Sequence, residues 1–245
     1  MEADASPALS ASRIDRSEPH LDSPVIDAVV NRRSVRHFLP TPVPLRAVKE
    51  ILSAASRAPS GTNFQPWKVH VTTGATQARL CRAVTQAAMA GERSDEYFYA
   101  PTPLMEPYLS RRRKVGYDLY ELYGIARDDY TARKQAMLRN FEFFGAPVGL
   151  FFSIDRTMGP PQWSDLGGFI QTVMLLARSH GLHCCAQEAW THWHKTLPRF
   201  LGLSSDYMLF CGMAMGFADD AAPINSWRSP REQLDVYASF EGFAS

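Results

Sequence analysis

Residues 148–181, VGLFFSIDRTMGPPQWSDLGGFIQTVMLLARSHG, decide the fold class. Val148 to Ile154 is a continuous apolar run of strand length, which marks a central strand covered on both faces. Ser164 then caps a helix whose apolar set, Leu166, Phe169, Ile170, Val173, Met174 and Ala177, follows the i, i+3, i+4 rule until Gly181 stops it. A buried strand followed by a broad-faced helix needs a layered core.

Upstream, Trp67, Val69 and Val71 alternate with Lys68, His70 and Thr72 as in a half-buried strand that Gly74 ends. Helices are expected from Ser23-Pro24 through Val30, from Pro44 to Ala58 and from Thr76 to Ala90. Residues 96–124 are aromatic and Pro-rich and read as an irregular but ordered excursion; with its flanks (91–145) it reads as an excursion or a lid. Residues 128–144 look helical. Downstream come a short segment, HCCAQEAW (183–190), a helix around 191–201 and a strand in YMLFCGMAMGFA (207–218). The tail, 223–245, is an extended arm that reaches a second subunit, with Gln233 to Phe240 able to form a last strand. The expectation is an α+β fold, a helix-covered sheet in one domain (23–245) behind a flexible N-terminal arm (1–22).

A chain of 245 residues buries its core without disulfides. Its composition, 45 % hydrophobic and 21 % charged, is that of a soluble globular protein and excludes collagen-like and wholly disordered chains. A net charge of +1 gives no global field for nucleic acid or acidic membrane, so an anion site must be local. Cys81, Cys184, Cys185 and Cys211 form no disulfide framework, and no apolar run is long enough to span a membrane or lead secretion. A cytoplasmic setting is expected.

Several groups could carry chemistry. Arg32, Arg33, Ser34 and Arg36 place three guanidiniums and a hydroxyl within five residues, enough to clamp a phosphate, or simply to complement a helix dipole. The loop from Pro59 through Ser60, Gly61 and Asn63 to Trp67 offers amides to a planar heterocycle. Arg228 and Arg231 form a second, distant basic pair suited to the same phosphate. His180, His183, Cys184 and Cys185 match no zinc spacing, so no metal is assigned. Arg111, Arg112, Arg113 and Lys114 lie beside Tyr97, Phe98, Tyr99, Tyr108 and Tyr117, a combination that would stack an aromatic ring and fork a carboxylate, or form only a solvated basic turn. GxGxxG, GxxxxGK[ST] and GxSxG are absent, so neither a dinucleotide fold nor a nucleophile elbow is expected.

VVNRRSVRHF (29–38), RAPSGTNFQPWKVHV (57–71) and CGMAMGFADDAAPINSWRSPREQLDVYASF (211–240) together resemble the nitroreductase family of flavoenzymes. The aromatic, Arg-rich middle segment and FFGAPV (Phe143 to Val148) are similar to its nitrobenzoate-reductase-like group. The resemblance implies a mainly antiparallel sheet and an intertwined homodimer with C-terminal arm exchange and an FMN site shared between chains. It places Arg32 and Ser34 on the phosphate, Arg33 on the ribityl chain and Arg36 near the pyrimidine edge. Pro59, Ser60, Gly61 and Asn63 would reach the flavin from the other chain, and Arg228 and Arg231 would join the phosphate. Ala186 and Gln187 match backbone amides facing flavin N5 and O4, although family members often carry Glu-Gly or Pro there. The implied activity is NAD(P)H-dependent, ping-pong reduction of nitroaromatic or quinone acceptors; the residues themselves, not the resemblance, point to Arg111, Arg112, Arg113 and Tyr117 as holding an aromatic acid. Reductive dehalogenation, enone reduction, flavin fragmentation or a non-enzymatic flavin-binding role stay open on the same fold.

Overall fold

The computed structural model describes residues 23–243; the N-terminal arm (1–22) lies outside the described residues. The chain divides into two compact units at Asn31 and Arg32. In the first, α1 (Pro24–Asn31) begins where Ser23 Oγ accepts from the Val25 N–H at 3.2 Å, and it buries none of its side chains.

The second unit is built on a four-stranded sheet of order β1-β2-β4-β3, antiparallel throughout: β1 (Lys68–Thr73), β2 (Val148–Asp155), β3 (His183–Gln187) and β4 (Tyr207–Gly216). Successive side chains of a strand face opposite sides. Leu150 and Phe152 of β2 therefore pack with α2 (Leu45–Ala55) and α6 (Pro160–Ser179), whereas Phe151 packs on the other side with α3 (Gly74–Met89) and the 3₁₀ segments Arg139–Gly145 and Glu188–Trp193. This second layer is aromatic: Phe143 stacks on Trp190 at 4.5 Å, and Phe151 meets Trp190 edge-on at 5.2 Å. Strand glycines make room for it. A Cβ on Gly149 would overlap the Phe143 ring, and one on Gly212 the Trp190 ring.

Several elements differ from the sequence reading. The excursion at 96–124 contains a regular helix, α4 (Tyr108–Leu122); its three prolines all precede the helix, Pro107 being the last residue before it. The 128–144 helix is α5 (Tyr130–Leu138) followed by a 3₁₀ turn in which Phe143 and Phe144 adopt φ of 50° and 54°. α6 starts at Pro160 rather than at Ser164, because Pro160 and Pro161 are preset for a first helical turn and Gln162 Oε1 accepts from the Gly159 N–H at 3.2 Å. Gly74 opens α3 instead of merely ending a strand. HCCAQ is a full edge strand, and the helix expected at 191–201 breaks into the 188–193 turn and α7 (Pro198–Leu201). Gln233 to Phe240 forms a short helix, α8 (Leu234–Tyr237), since local bonds such as Ala238 N–H to Leu234 O satisfy a backbone with no strand beside it.

Candidate functional site

β3 is the edge of the sheet, and the Arg32–Phe38 segment is laid against its open side. Ser34 bridges Cys184 in parallel, with the Val35 N–H donating to Cys184 O at 3.3 Å, and the Phe38 N–H donates to Phe144 O at 3.2 Å. Val35 and Phe38 are buried and pin this segment by their side chains. Asn225, itself buried, ties in the C-terminal region: Oδ1 accepts from the Arg36 N–H at 2.8 Å, and Nδ2 donates to His37 O (2.7 Å) and Asp219 O (2.8 Å). The Arg36 guanidinium donates to Ser34 O at 3.3 Å and lies 6.0 Å from the Trp227 ring centre.

Backbone groups alternate along a strand, so Ala186 faces the same open edge as Cys184. Ala186 is also the exposed residue of β3. Gln187 turns its side chain inward, where Nε2 donates to Asn140 O at 2.7 Å and Oε1 accepts from Trp190 Nε1 at 3.3 Å. The Cys184 and Cys185 thiols point into opposite layers. Burial pushes the Cys81 and Cys211 thiols up to about 12 and raises those of Cys184 and Cys185, so all four stay protonated at neutral pH.

At the start of β3 positive charge accumulates. Arg178, at the end of α6, donates from Nη1 to His183 Nε2 at 2.6 Å and to Leu182 O at 3.1 Å. Burial, then the charges of Arg178, Arg33 and Arg228, drive His183 down to about 4, with Asp220 acting against them. The charge of Arg228 is in turn disfavoured by its own desolvation and by Arg33, Arg178 and Arg32. Arg33 pairs with Asp220 at 2.6 Å, yet its Nε is buried without a hydrogen-bond partner, as are Arg178 Nε and His183 Nδ1. Crowded guanidiniums with buried donors left over are arranged for an anion with several acceptor oxygens.

The structure separates the remaining candidates. Arg228 joins this cluster, whereas Arg231 folds back on Ser229 Oγ (2.6 Å) and Pro230 O (2.9 Å). Pro59, Ser60, Gly61 and Asn63 form an exposed turn held by Ser60 Oγ, which accepts from the Gln65 N–H at 2.9 Å, and by Asp165 of α6, which accepts from the Gly61 N–H at 3.1 Å. Among the described residues no hydrogen bond or ion pair joins that turn to Arg32–Arg36. On α4, Arg111 pairs with Glu232 at 2.8 Å, Lys114 with Asp118 at 3.0 Å, and Arg112 and Arg113 are exposed. Arg127 lies over the Tyr117 ring at 4.6 Å. A cavity of about 520 Å³ opens between α4 and the tail, lined by Arg111, Lys114, Val115, Pro230 and Arg231. A second, of about 270 Å³, is lined by Arg36, Tyr120, Tyr123, Asn140 and Phe144.

The sequence profile of the nitroreductase family matches residues 29–217. The chain belongs to the nitroreductase family. Among relatives in the family, a 4-nitrobenzoate reductase of Pseudomonas putida is 41 % identical over 218 residues, covering 89 % of this chain and 96 % of the relative. A nitrobenzene nitroreductase of Ectopseudomonas oleovorans is 39 % identical, covering 89 % and 97 %. A crystal structure of an FMN and NADPH-dependent nitroreductase, NfnB, from Sphigopyxis sp. strain HMH superposes with a TM-score of 0.87 at 43 % identity, over 89 % of this chain and 99 % of that one. The nitroreductase fold expected from the motifs, with its mainly antiparallel sheet, is thus the one found.

Sequence reasoning did not single out Arg178 or Asn225, and it weighed His183 only as a metal ligand. Arg178 looked like an ordinary cation in a helix's last turn, where it complements the dipole. The available signal was Gly181: a tight turn there folds β3 back on α6 and brings residues on either side of it together.

Proposed function

We propose that this protein is an FMN-dependent NAD(P)H oxidoreductase that reduces nitroaromatic acceptors, or quinones, by a ping-pong scheme, as a cytoplasmic homodimer. The observation that carries this reading is the open edge of β3, with its cluster of guanidiniums at one end and the exposed backbone of Ala186 further along. The residues fit FMN, because the cluster has buried donors in excess of acceptors and Ala186 is exposed on the same strand.

Bound FMN would supply the two-electron chemistry between NAD(P)H and the acceptor. The chain's own residues bind and orient. Arg32, Ser34 and Arg228 hold the phosphate, and Arg33 holds the ribityl chain while Asp220 fixes its fork. Arg36, locked by Ser34 O and by Asn225 on its backbone, faces the pyrimidine edge and favours negative charge there. Ala186 presents its backbone to the ring. Tyr120, Tyr123 and Phe144 give the cavity beside Arg36 an aromatic wall suited to a flat acceptor. The resemblance to a 4-nitrobenzoate reductase and the basic residues of α4 support acidic nitroaromatics as the preferred class.

The test begins with the purified protein, which should be yellow, carry one FMN per chain and oxidise NAD(P)H when a nitroaromatic is added. Arg32→Ala should weaken FMN binding by about 1.5–3 kcal/mol, the worth of a hydrogen bond to a charged group. A nitrobenzoate should be reduced with higher kcat/KM than nitrobenzene, and added salt should narrow the gap. Halide release without nitro reduction, or FMN held with no turnover, would favour the other chemistries instead.

A further inference from the structure

We propose that Arg178 and His183 are positioning residues of the phosphate end of the flavin site, Arg178 bringing a fixed charge and His183 a neutral Nδ1–H donor. The inference rests on the FMN reading above and extends it to two residues that none of the motifs carrying the family resemblance contains.

The hydrogen-bond chemistry fixes the tautomer. A guanidinium has only donors, so at 2.6 Å from Arg178 Nη1 the His183 Nε2 must accept, which puts the ring's hydrogen on Nδ1. The groups that face this ring are Arg178 from α6, Arg33 and Asp220 from the two segments beside β3, and Arg228 from the tail; burial first, then the three arginines, keep the ring uncharged at neutral pH against the opposing charge of Asp220. Its Nδ1–H is therefore a neutral, buried donor in a residue that is 8 % exposed, and it meets no acceptor among the described residues.

Burying a donor without an acceptor is costly, and the charges around it are ones that repel a cation and attract an anion. A phosphate dianion answers both demands. Its several oxygens accept from many donors at once, and its charge offsets the mutual repulsion of Arg33, Arg178 and Arg228 that the ring registers. Arg178 is held for this by two bonds from one nitrogen, to Leu182 O and to His183, so the guanidinium is set before the anion arrives.

The test compares FMN with riboflavin, which lacks the phosphate, in fluorescence titrations of apoprotein. For Arg178→Gln the preference for FMN over riboflavin should fall about tenfold or more, with riboflavin affinity unchanged. His183 separates the donor role from mere support of Arg178. His183→Asn keeps a nitrogen near the Nδ1 position and should retain most of the FMN preference; His183→Gln keeps an acceptor near the Nε2 position and should lose it. Equal losses for both flavins in Arg178→Gln, or a preference kept by Gln and lost by Asn, would overturn the proposal. If Arg178→Gln does not fold, the His183 pair decides alone. Wild-type protein that binds FMN no better than riboflavin would instead refute the FMN reading itself.

Discussion

Val35 and Phe38 do for the arginines what no arginine can do for itself: they sink into the aromatic layer and leave Arg32, Arg33, Ser34 and Arg36 at the surface of the sheet edge. Val35 and Phe38 of VVNRRSVRHF are thus as necessary to the site as its arginines. His183 shows how this placement is felt as electrostatics. Its ring titrates near 6.5 when free and near 4 when folded, because burial and then Arg178, Arg33 and Arg228 penalise the imidazolium. Between those values the unfolded chain holds a proton that the native chain does not, so stability is present above the free value and is lost as pH falls through the window. The melting temperature of FMN-free protein should therefore drop between pH 6.5 and 4, and drop less in His183→Asn. Carboxylates held low by partners, such as Asp118 beside Lys114, add acid sensitivity common to both proteins, so the difference between the curves isolates the histidine. Parallel curves would show that His183 is not held neutral by its neighbours.

β2 and β4 are central because both of their faces are apolar, and the bulk of the aromatic layer is admitted only by their glycines. Gly149 sits under the Phe143 ring and Gly212 under the Trp190 ring, so the stacked pair lies almost on the strand backbone. Gly149→Ala should destabilise by about 1–3 kcal/mol in chemical denaturation, the usual cost of overpacking, because Phe143 is held by a left-handed backbone turn and cannot easily retreat. Gly167→Ala, on α6 with open space around it, should be neutral or slightly stabilising and serves as the control. A Gly149→Ala protein as stable as wild type would mean that the aromatic layer can shift as a body. The same elements explain what could be read in advance. VGLFFSI and the α6 stripe declare themselves because a single period decides each, and Arg32–Arg36 declares itself by composition. HCCAQ has no period of its own; it becomes a strand because β4 on one side and Ser34 on the other complete its bonds. α4 was hidden by prolines that turned out to be its boundary. Arg178 was hidden because its role depends on a partner five residues away across a turn, which no local pattern encodes.

The arrangement of the subunit as a body argues for two chains. Asp165, which holds the Ser60–Asn63 turn, and Arg178, which belongs to the cationic cluster, lie thirteen residues apart on one helix. At 1.5 Å per residue that is about 20 Å, so one chain presents the turn and the cluster toward opposite ends of α6. The tail adds a second reason, since Leu234, Val236, Tyr237, Phe240 and Phe243 are all more than half exposed in the single chain. An apolar surface of that kind is expected to be covered by another molecule. We therefore expect a homodimer whose sites each combine the cluster of one chain with the turn of the other, and complementation tests it directly. One chain carries Arg32→Ala; the other carries Ser60→Ala and Asn63→Ala. Either variant alone gives dimers in which both sites are damaged. Co-expressed with different affinity tags and purified through both, they give a mixed dimer with one site damaged twice and one intact. That dimer should bind FMN with wild-type affinity at half the wild-type stoichiometry, and sedimentation should give the mass of two chains. If cluster and turn instead served the same flavin within one chain, the mixed species would contain no intact site, and tight FMN binding would not return.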